Sequence, residues 1–479
     1  MQQNAVNACI DFFQNSKPGK NGIAVCPTAW GKSLLIANVA PRLDAPSLVF
    51  QPSKEILEQN LAKFHSYGIR PAIFSASMGR KTVGDITLVT IGSVAGTKGK
   101  NARVSKAHLF QDFPNLFVDE CDLVGAKSGQ YKEFFDELEG VTILGVSATP
   151  WRMSTSSFGT MPKFLTRTRP RIFSEVVWYT QVEEMIVGEN GKPFWAKLEY
   201  KKVGGFDRHA VKANSTGADF DDRSLQLHFF KIGFQDRIVE VVKRLKTQRK
   251  NALIFCRFVP EAEYVASKVH GLALVTADTS PAERAAIGNE FRAGRIWGVV
   301  NVGVYLVGFD FPELETIVLA RPTKSLRVAY QSMGRGVRIH PDKESCWIVD
   351  MVGLTDEFGK LEDLKLYCEG DVKWSMWGKP GGEEETQLTN VYLADSGGNR
   401  CKQCGQAIGF WMRNEHTGNS AGLNRPTAGM KPNIVLRKTL EGKTVYAIPK
   451  PGDADFDQVE FVMHRALCGK QSNNGGQNG

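Results

Sequence analysis

The sequence predicts an α/β protein built from two doubly wound parallel-sheet lobes in tandem, followed by a small C-terminal segment with a candidate zinc site. The first observation is that short apolar runs alternate with helix-like segments from residue 22 to about residue 150. The second is that this alternation stops and then resumes between about residues 231 and 375. Short β-branched runs of this kind are typical of parallel strands that helices cover on both faces.

The first lobe is predicted over residues 1–152. Its apolar runs are the predicted strands: GIAVC at 22–26, SLVF at 47–50, AIFS at 72–75, ITLVTI at 86–91, LFVD at 116–119 and TILGVSA at 142–148. Between these runs, the segments LLIANVAPRL and KEILEQNLAKF have the apolar spacing of helices. This order of elements indicates one open sheet with helices packed on it.

Residues 153–230 are predicted to form a connector with some strand content, because glycine, serine and aromatic residues interrupt the pattern. The second lobe is predicted over residues 231–375, with the strands NALIFC, LALVT, GVVNVG, TIVLA and CWIVD. Residues 376–470 form the predicted C-terminal segment. The polar, glycine-rich residues 471–479 are predicted to be a disordered tail.

Composition and charge limit the classes of protein that the chain can belong to. The formal net charge of +9 and the pI of about 9.0 lean toward a polyanionic partner. No apolar stretch approaches the roughly 18 residues of a membrane span, and the N-terminus lacks the pattern of a signal peptide. Nine scattered cysteines favour a reducing compartment. We therefore expect a cytoplasmic protein, of a bacterium or of a phage-infected host cell, with no membrane partner.

The segment CPTAWGKS at 26–33 lies between a predicted strand and a predicted helix. In that setting, backbone N–H groups such as those of Thr28 and Gly31 can face phosphate oxygens together with the helix N-terminus. Lys32 would then reach the β- and γ-phosphates of a nucleoside triphosphate, and the Ser33 hydroxyl would coordinate Mg²⁺. The segment departs from the usual phosphate loop, because its first position is cysteine rather than glycine and because alanine and tryptophan follow the threonine.

A group of candidate catalytic residues follows the strand LFVD. We assign Asp119 to Mg²⁺ and Glu120 to the attacking water, because ligand-facing residues lie at the carboxyl ends of parallel strands. Asp122 extends this acidic turn. Ser147 and Thr149 follow the next predicted strand, and their hydroxyls are suited to linking the acidic turn to the second lobe.

The second lobe carries the segment QSMGRGVR at 331–338. Arg335 and Arg338 are three residues apart and project from nearly one face. Guanidinium groups stabilise the charge that develops on a transferred phosphoryl group, so the pair is a candidate for that role. A basic helix face that binds solvent or nucleic-acid phosphate is the alternative. Upstream, a glycine-containing loop ends at Asp310, which suits close approach of the backbone to a phosphate or ribose.

The segments PTAWGKS, DECD, SAT, a GFD loop and QSMGRGVR occur in this order over about residues 2–355. They resemble motifs I, II, III, V and VI of superfamily 2 helicases. Within that superfamily the chain looks most like the bacterial RadD group, and next like the UvsW and XPB type. The resemblance implies two RecA-like lobes that share one site for ATP and Mg²⁺. It implies that this site is formed by Lys32, Ser33, Asp119, Glu120, Gln331, Arg335 and Arg338.

The same resemblance implies further contacts. Gln3, or its neighbour Gln2, would end the adenine-reading Q motif, and Asp310 would lie near the ribose. Contacts with the nucleic-acid backbone are implied for residues of motifs Ia, Ib and IV: Ser53, Lys54, Gly92, Ser93 and Arg257. The implied partner is single-stranded or branched DNA, together with single-strand-binding or recombination proteins. A monomer is favoured.

The C-terminal segment contains Cys401 and Cys404 in a C-x-x-C arrangement, which is typical of zinc ligands. His464 and Cys468 are the candidate second pair, and His416 is a rival ligand. Two unligated surface cysteines are the main alternative. A redox pair is less favoured, because the motif does not open a helix in a thioredoxin-like unit.

These observations predict an ATP-dependent nucleic-acid motor, namely a DNA helicase, translocase or remodelling enzyme for branched DNA. An RNA helicase is the second hypothesis, although the sequence DECD lacks the alanine of the DEAD-box group. A protein that binds nucleic acid and recruits partners, with a weak ATPase, is the third. The presence of Lys32, Glu120 and both arginines counts against a vestigial site.

Overall fold

The computed structural model describes residues 1–97, 102–125, 127–156, 159–168, 170–305, 310–369, 373–382 and 384–389, together with the backbone of five short strands between residues 410 and 463. The chain divides into two compact units. The larger comprises Met1–Arg152, Pro162–Val211 and Arg223–Asn390, and it contains both predicted lobes. The smaller comprises Met153–Met161, Lys212–Asp222 and Val391–Gly479.

The first lobe alternates strands and helices along the chain. Its helices are α1 (Gln2–Asn15), α2 (Lys32–Val39), α3 (Lys54–Ser66), α4 (Ile91–Val94) and α5 (Gln130–Asp136). Its strands up to residue 147 are β1 (Gly22–Val25), β2 (Ser47–Gln51), β3 (Ala72–Ser75), β4 (Arg80–Lys81), β5 (Ile86–Thr90), β6 (Asn115–Asp119) and β7 (Thr142–Ser147). The central strands are buried along their whole length, as expected for a sheet that is covered on both faces.

After β7, the chain forms β8 (Trp151–Ser156), β9 (Gly159–Phe164), β10 (Glu175–Tyr179), α6 (Val182–Val187) and β11 (Lys197–Lys202). The helices of the second lobe are α7 (Asp222–Ile232), α8 (Phe234–Lys246), α9 (Val259–Lys268), α10 (Pro281–Arg292), α11 (Leu326–Met333) and α12 (Leu354–Phe358). Its strands are β12 (Ala252–Cys256), β13 (Leu272–Val275), β14 (Gly298–Asn301), β15 (Thr316–Ala320) and β16 (Ser345–Asp350).

Each lobe is built on one predominantly parallel sheet. In the first, the strand order is β10–β1–β7–β6–β2–β5–β3–β4, and β3 with β4 is the one antiparallel pair among the described strands of this sheet. In the second, the order is β11–β16–β15–β12–β14–β13, with every described pair parallel. The predicted α/β fold class with two parallel-sheet lobes is confirmed.

The predicted connector, residues 153–230, supplies one edge strand to each sheet. Strand β10 pairs with β1 in the first lobe, and β11 pairs with β16 in the second. In β11 the residues from Leu198 to Tyr200 are half-buried or buried and the three lysines are exposed, as is common for an edge strand that faces solvent. The backbone between the lobes is therefore tied into both sheets.

A small antiparallel sheet follows the second lobe, formed by β17 (Lys365–Glu369), β18 (Lys373–Gly378) and β19 (Thr386–Gln387). The remaining described strands are β20 (Phe410–Arg413), β21 (Ser420–Asn424), β22 (Val435–Lys438), β23 (Thr444–Ala447) and β24 (Val462–Met463), all in antiparallel pairs. The predicted tail at 471–479 lies outside the described residues. Within the described part of the chain, no helix is both long and apolar enough to cross a membrane.

Candidate ATP site

The loop between β1 and α2 holds its shape through two left-handed residues and several aromatic braces. Ala29 has a φ of 64° and Gly31 a φ of 102°, so the chain turns sharply before α2 begins at Lys32. The indole N–H of Trp195 donates to the carbonyl of Thr28 at 2.8 Å, and the Trp30 side chain is buried. The loop therefore keeps the lysine at the start of a helix, as the sequence predicts for a phosphate loop.

The amide of Gln2 donates to the Trp30 carbonyl of this loop at 2.8 Å. The amide of Gln3, the residue that the motif comparison favours, instead donates to Asn7 on the exposed face of α1. Successive helical residues point about 100° apart, so one glutamine of the pair faces the loop and the other faces solvent. The contact with the loop thus belongs to Gln2.

A half-buried ion pair joins the loop to the acidic turn after β6. The ammonium of Lys32 lies 2.5 Å from Oε1 of Glu120. Burial alone would lower the pKa of Lys32, but Glu120 and Asp119 raise it above its ordinary value. Burial would likewise raise the pKa of Glu120, yet the charge of Lys32 and its hydrogen bond hold that pKa below the ordinary value. Both groups are therefore charged at neutral pH.

Asp119 is held by two donors in the same turn. Its Oδ1 accepts from the backbone N–H of Glu120 at 3.0 Å, and its Oδ2 accepts from the amide of Asn60 at 2.9 Å. Burial raises the pKa of Asp119 to about 6, although Lys32 and Asn60 act in the opposite direction. The carboxylate is therefore in a position where a cation would lower its free energy.

Asn60, on α3, links the two Mg²⁺ ligands that the sequence predicts. Besides Asp119, its amide group donates to Gln51 at 2.6 Å, and its oxygen accepts from the hydroxyl of Ser33. Asn60 is not among the site residues that the sequence predicts. A signal was present, because Asn60 lies on the buried stripe of α3 with Ile56, Leu57 and Phe64, where a polar side chain needs a partner.

Asp122 connects the acidic turn to the residues after β7 and to the second lobe. Its Oδ1 accepts from the Ser147 hydroxyl at 2.8 Å, and its Oδ2 forms an ion pair with Nε of Arg327 on α11. The Ser147 hydroxyl also accepts from the backbone N–H of Thr149 at 3.0 Å. Burial raises the pKa of Asp122 to about 6 despite the opposing charge of Arg327. Arg327 is a second residue that the sequence analysis missed.

The phosphate loop and the arginine-bearing turn of the second lobe are in contact. The backbone N–H of Thr28 donates to the hydroxyl of Tyr330 at 3.4 Å. A Cβ atom added at Gly334 would lie 3.0 Å from Oγ1 of Thr28, so a side chain at that position would press on the loop. Glycine here therefore allows the turn that begins at the end of α11 to approach the first lobe closely.

The two predicted arginines have different surroundings. Burial and the charge of Arg338 lower the pKa of Arg335 to about 10, and Glu120 and Asp310 oppose this change. Arg335 is thus close enough to the Glu120 carboxylate to affect its ionisation from the other lobe. The Nε atom of Arg338 lies 2.5 Å from Oδ1 of Asp310. The structure therefore brings Arg335 toward the acidic turn and pairs Arg338 with Asp310.

Two buried polar atoms between the lobes fit a Mg²⁺–ATP ligand. Oε2 of Glu120 and Oε1 of Gln331 are buried and have no hydrogen-bond partner among the described residues. Leaving such atoms unpaired costs about 1–3 kcal/mol each, so they fit a place where a water or ligand group donates. Together with Lys32 and Ser33, these two oxygen atoms form a set of donors and acceptors suited to a nucleoside triphosphate and its metal.

A cleft of about 1270 Å³ lies between α3 and α10. Ser53 and Lys54 line it from the first lobe, and Arg284 and Arg292 line it from the second. An ion pair of 3.5 Å between Arg284 and Glu55 spans it. Two of the residues for which nucleic-acid contacts are predicted therefore face a channel with basic groups on its opposite wall.

The other predicted backbone contacts lie at strand ends elsewhere. Gly92 is exposed in α4, directly after β5, and the Ser93 hydroxyl in that helix accepts from the backbone N–H of Ala76 at 2.8 Å. Arg257 directly follows β12, and its backbone N–H donates to Glu261 at 3.3 Å. They occupy the carboxyl edges of their sheets, as Ser53 does.

The four predicted zinc ligands, Cys401, Cys404, His464 and Cys468, lie outside the described residues. Among the residues that are described, no cluster of three or more histidine, cysteine, aspartate or glutamate side chains is arranged to hold a metal ion.

Two family models match the chain. Residues 1–152 match the model described as the res subunit of type III restriction enzymes, and residues 235–340 match the helicase conserved C-terminal domain. A 51.5 kDa protein of a Lactococcus phage (isolate 7-9) is 25% identical over 428 residues, which are 87% of this chain and 80% of the phage protein.

Two yeast proteins named as ATP-dependent helicases are also similar. IRC3 of Saccharomyces cerevisiae is 40% identical over 79 residues, 16% of this chain and 12% of that protein. The irc3 protein of Schizosaccharomyces pombe is 26% identical over 369 residues, 73% of this chain and 56% of that protein. The chain therefore spans well under two thirds of each yeast relative.

Solved structures share the fold at low sequence identity. A Type ISP restriction-modification enzyme, LlaBIII, bound to DNA has a TM-score of 0.52 and 16% identity, covering 72% of this chain and 27% of that one. A fragment of an HsdR subunit of a type I restriction enzyme from Vibrio vulnificus has a TM-score of 0.52 and 15% identity, covering 75% of this chain and 65% of that one. The tandem RecA-like arrangement is confirmed.

Asn60 provides a test of the metal-binding role of this turn. We expect Asn60→Leu to raise the pKa of Asp119 further above about 6, because the amide that stabilises the carboxylate is lost. The Mg²⁺ concentration for half-maximal ATPase activity should then rise about fivefold at pH 6 for a rise of about one pKa unit, since about half of the Asp119 carboxyl is already protonated in the unmodified protein at this pH. It should rise less at pH 8, where the carboxyl is ionised in both proteins. Mg²⁺ titrations at both pH values measure this.

The matched control is Asn38→Leu, since the Asn38 amide donates to the Leu34 carbonyl of its own helix. Its Mg²⁺ requirement should follow that of the unmodified protein. If Asn60→Leu shows the same Mg²⁺ requirement as the unmodified protein at pH 6, Asp119 does not bind the metal in this way.

Proposed function

We propose that this superfamily 2 helicase, an ATP-dependent nucleic-acid motor, moves along DNA. We further propose that both lobes act on one ATP molecule, with DNA as the track along which the motor moves. The observation that carries this proposal is the contact between the phosphate loop and the second lobe. Thr28 touches Tyr330 and Gly334, which places the arginine-bearing turn beside the loop that begins α2. A nucleotide bound at that loop would meet groups from both lobes.

The first lobe supplies the groups that bind the nucleotide and its metal. We assign Lys32 to the β- and γ-phosphates, the Ser33 hydroxyl and Asp119 to Mg²⁺, and Gln2 to support of the loop. Mg²⁺-bound ATP supplies the transferable phosphoryl group and the charge of the metal. Glu120 is ionised beside Lys32 and has one free buried oxygen, so it can orient a water and accept its proton.

The second lobe supplies positive charge at the same place. Arg335 is half-buried, and its charge lowers the pKa of Glu120 in the acidic turn. Arg338 lies on the same turn as Arg335 and forms an ion pair with Asp310. We assign both arginines to stabilising the charge that develops during phosphoryl transfer, and Gln331 to the same surface.

We assign the coupling between ATP hydrolysis and movement to the hydrogen bond and the ion pair that Asp122 forms. Asp122 bonds Ser147 of its own lobe and Arg327 of the other. A change in the acidic turn would therefore act on α11, which carries Arg327 and leads directly to Arg335. A contiguous hydrogen-bonded chain with a member in each lobe is the kind of element that can transmit a switch.

The proposal of DNA as the track is supported by charge and by the relatives. The chain has a formal net charge of +9, and the cleft between α3 and α10 has Lys54, Arg284 and Arg292 on its walls. Backbone contacts of this kind bind a strand with little sequence preference. The family model over residues 1–152 is that of a restriction-enzyme subunit, and the similar LlaBIII structure contains DNA.

Several narrower predictions belong to this proposal. They are the resemblance to the RadD group, the zinc site in the C-terminal segment, a cytoplasmic location, and single-strand-binding or recombination proteins as partners.

The zinc site would be tested by metal analysis of the purified full-length chain against the Cys401→Ser/Cys404→Ser variant. One equivalent of zinc in the parent and its loss in the variant would support the site.

ATP hydrolysis tests the assignment of the main site. We expect Lys32→Met and Glu120→Gln to lose about 100-fold or more in kcat, because each removes a charge that the transition state needs. Arg338→Ala should bind a fluorescent ATP analogue with near-normal affinity but hydrolyse ATP at least about 100-fold more slowly. The control is Lys20→Met, which removes an exposed lysine that pairs with Glu175. Unchanged activity in Glu120→Gln would contradict the mechanism.

The nature of the track is tested by a stimulation panel. ATPase rates are measured without nucleic acid and with single-stranded DNA, forked DNA and RNA of matched length, beside strand-displacement and branch-migration assays. We expect DNA to raise kcat at least about tenfold more than RNA does. Equal or greater stimulation by RNA would show that the motor acts on RNA.

Arg327 tests the coupling assignment. We expect Arg327→Met to reduce the stimulation of ATPase by DNA about 3- to 30-fold, the equivalent of about 0.7–2 kcal/mol of coupling free energy. The rate without DNA should change less, because Arg327 bonds Asp122 rather than the groups assigned to the nucleotide. Arg244→Met, an exposed arginine on α8, is the matched control. An equal loss with and without DNA would mean that Arg327 does not act in coupling.

A further inference from the structure

The turn that carries Arg335 and Arg338 is held in part by the backbone N–H of Ala196, which donates to the Val337 carbonyl at 2.8 Å. It follows the C-terminus of α11, where the last carbonyl groups of a helix have no helical partner. Gly334 and Gly336 leave no room for bracing side chains: a Cβ atom at Gly336 would lie 2.7 Å from the sulfur of Cys346. The position of Arg335 and Arg338 therefore depends on groups that bond the backbone of the turn.

The side chain of Lys343 donates hydrogen bonds to the backbone of this turn. Its ammonium donates to the carbonyl of Gly336 at 2.8 Å, to that of Arg338 at 2.7 Å and to that of Pro312 at 3.2 Å. An ammonium has three N–H donors, so three carbonyls match its full capacity. The residue is only 7% exposed. The chain therefore buries a lysine whose hydrogen bonds go to backbone carbonyls.

Two of these carbonyls belong to the segments that hold the Arg338–Asp310 ion pair. One is the carbonyl of Arg338 itself, and another, on Pro312, lies two residues beyond Asp310. Lys343 thus joins the backbones on both sides of the 2.5 Å contact between Nε of Arg338 and Oδ1 of Asp310. A shift of either backbone would move the guanidinium.

Burial of this lysine is costly to the folded protein. Burial lowers the pKa of the Lys343 ammonium, and the charge of Arg338 acts in the same direction, whereas Cys346, Glu315 and Glu313 oppose it. Desolvation of a buried charge offsets much of the stability that its hydrogen bonds contribute. The three hydrogen bonds of Lys343 to backbone carbonyls beside the arginine turn fit a role in positioning.

We propose that Lys343 is a positioning residue that holds the arginine-bearing turn, and with it the guanidinium of Arg338, in place for ATP hydrolysis. It does not touch the nucleotide site and acts through Arg338. This inference rests on the proposed function of Arg338.

The first experiment compares Lys343→Met, Lys343→Arg and Lys250→Met in the full-length chain. Lys250 is the matched control, because it is 72% exposed and donates to the Asp342 carbonyl next to Lys343. We expect Lys343→Met to lower kcat about 10- to 100-fold with little change in KM for ATP, since small displacements of a positioned group cost about this much. Lys343→Arg should recover part of kcat, and Lys250→Met should behave as the unmodified protein.

A double-mutant cycle with Arg338→Ala separates positioning from general stability. Radiolabelled ATP allows slow variants to be measured. If Lys343 acts through Arg338, Lys343→Met should slow hydrolysis by less than about threefold when Arg338 is already alanine, because the group that it positions is absent. Equal fold losses in both backgrounds, or no loss in the parent background, would overturn the inference.

The same data distinguish this inference from the proposed function. If Arg338→Ala hydrolyses ATP at the parent rate, the proposed role of Arg338 fails. If Arg338→Ala is slow and Lys343→Met is as fast as the parent, only the role of Lys343 fails.

Discussion

The site depends on neutralising three carboxylates at the end of one strand. Asp119 is the last residue of β6, Glu120 and Asp122 follow it, and like charges this close raise one another's free energy where they are shielded from water. Lys32 from the phosphate loop and Arg327 from the second lobe supply the compensating charge. The loop and the second lobe therefore both lower the free energy of the ionised acidic turn.

This dependence gives a physical basis for communication between ATP and the lobes. Breaking one side of a buried ion pair costs about 3–5 kcal/mol, because an uncompensated charge remains. A ligand that changes the partner of Lys32 changes the field at Glu120, and the field at Glu120 also includes Arg327 and Arg335. Hydrolysis and release of the nucleotide would therefore alter the charge balance of a surface that both lobes share.

The sequence predicted the sheets well because the central strands are buried on both faces and need continuous apolar runs. The two edge strands were harder, since β11 alternates polar and apolar residues within a segment that resembles a connector. Lys32 and Glu120 could be found from local patterns. Arg327 could not, because its partner, Asp122, is 205 positions away in the sequence and only the packing of α11 on the first lobe brings the two together. The sequence alone could not distinguish Gln2 from Gln3 as the residue that contacts the phosphate loop, because the answer depends on how α1 is rotated about its axis.

Backbone strain has a clear location in this molecule. Among the described residues, the non-glycine residues with positive φ are Ala29, Glu120 and Asn190; Glu120 is the partner of Lys32 in the ion pair, and Ala29 lies three residues before Lys32. A left-handed non-glycine residue costs about 1–3 kcal/mol and persists when its surroundings determine its shape. At Ala29 these surroundings are the contacts of Thr28 with Trp195 and with Tyr330 of the second lobe. Because part of that support comes from the other lobe, separating the lobes would let the loop relax. The left-handed conformation at Ala29, one of the residues that depart from the usual loop pattern, is thus supported in part by the second lobe.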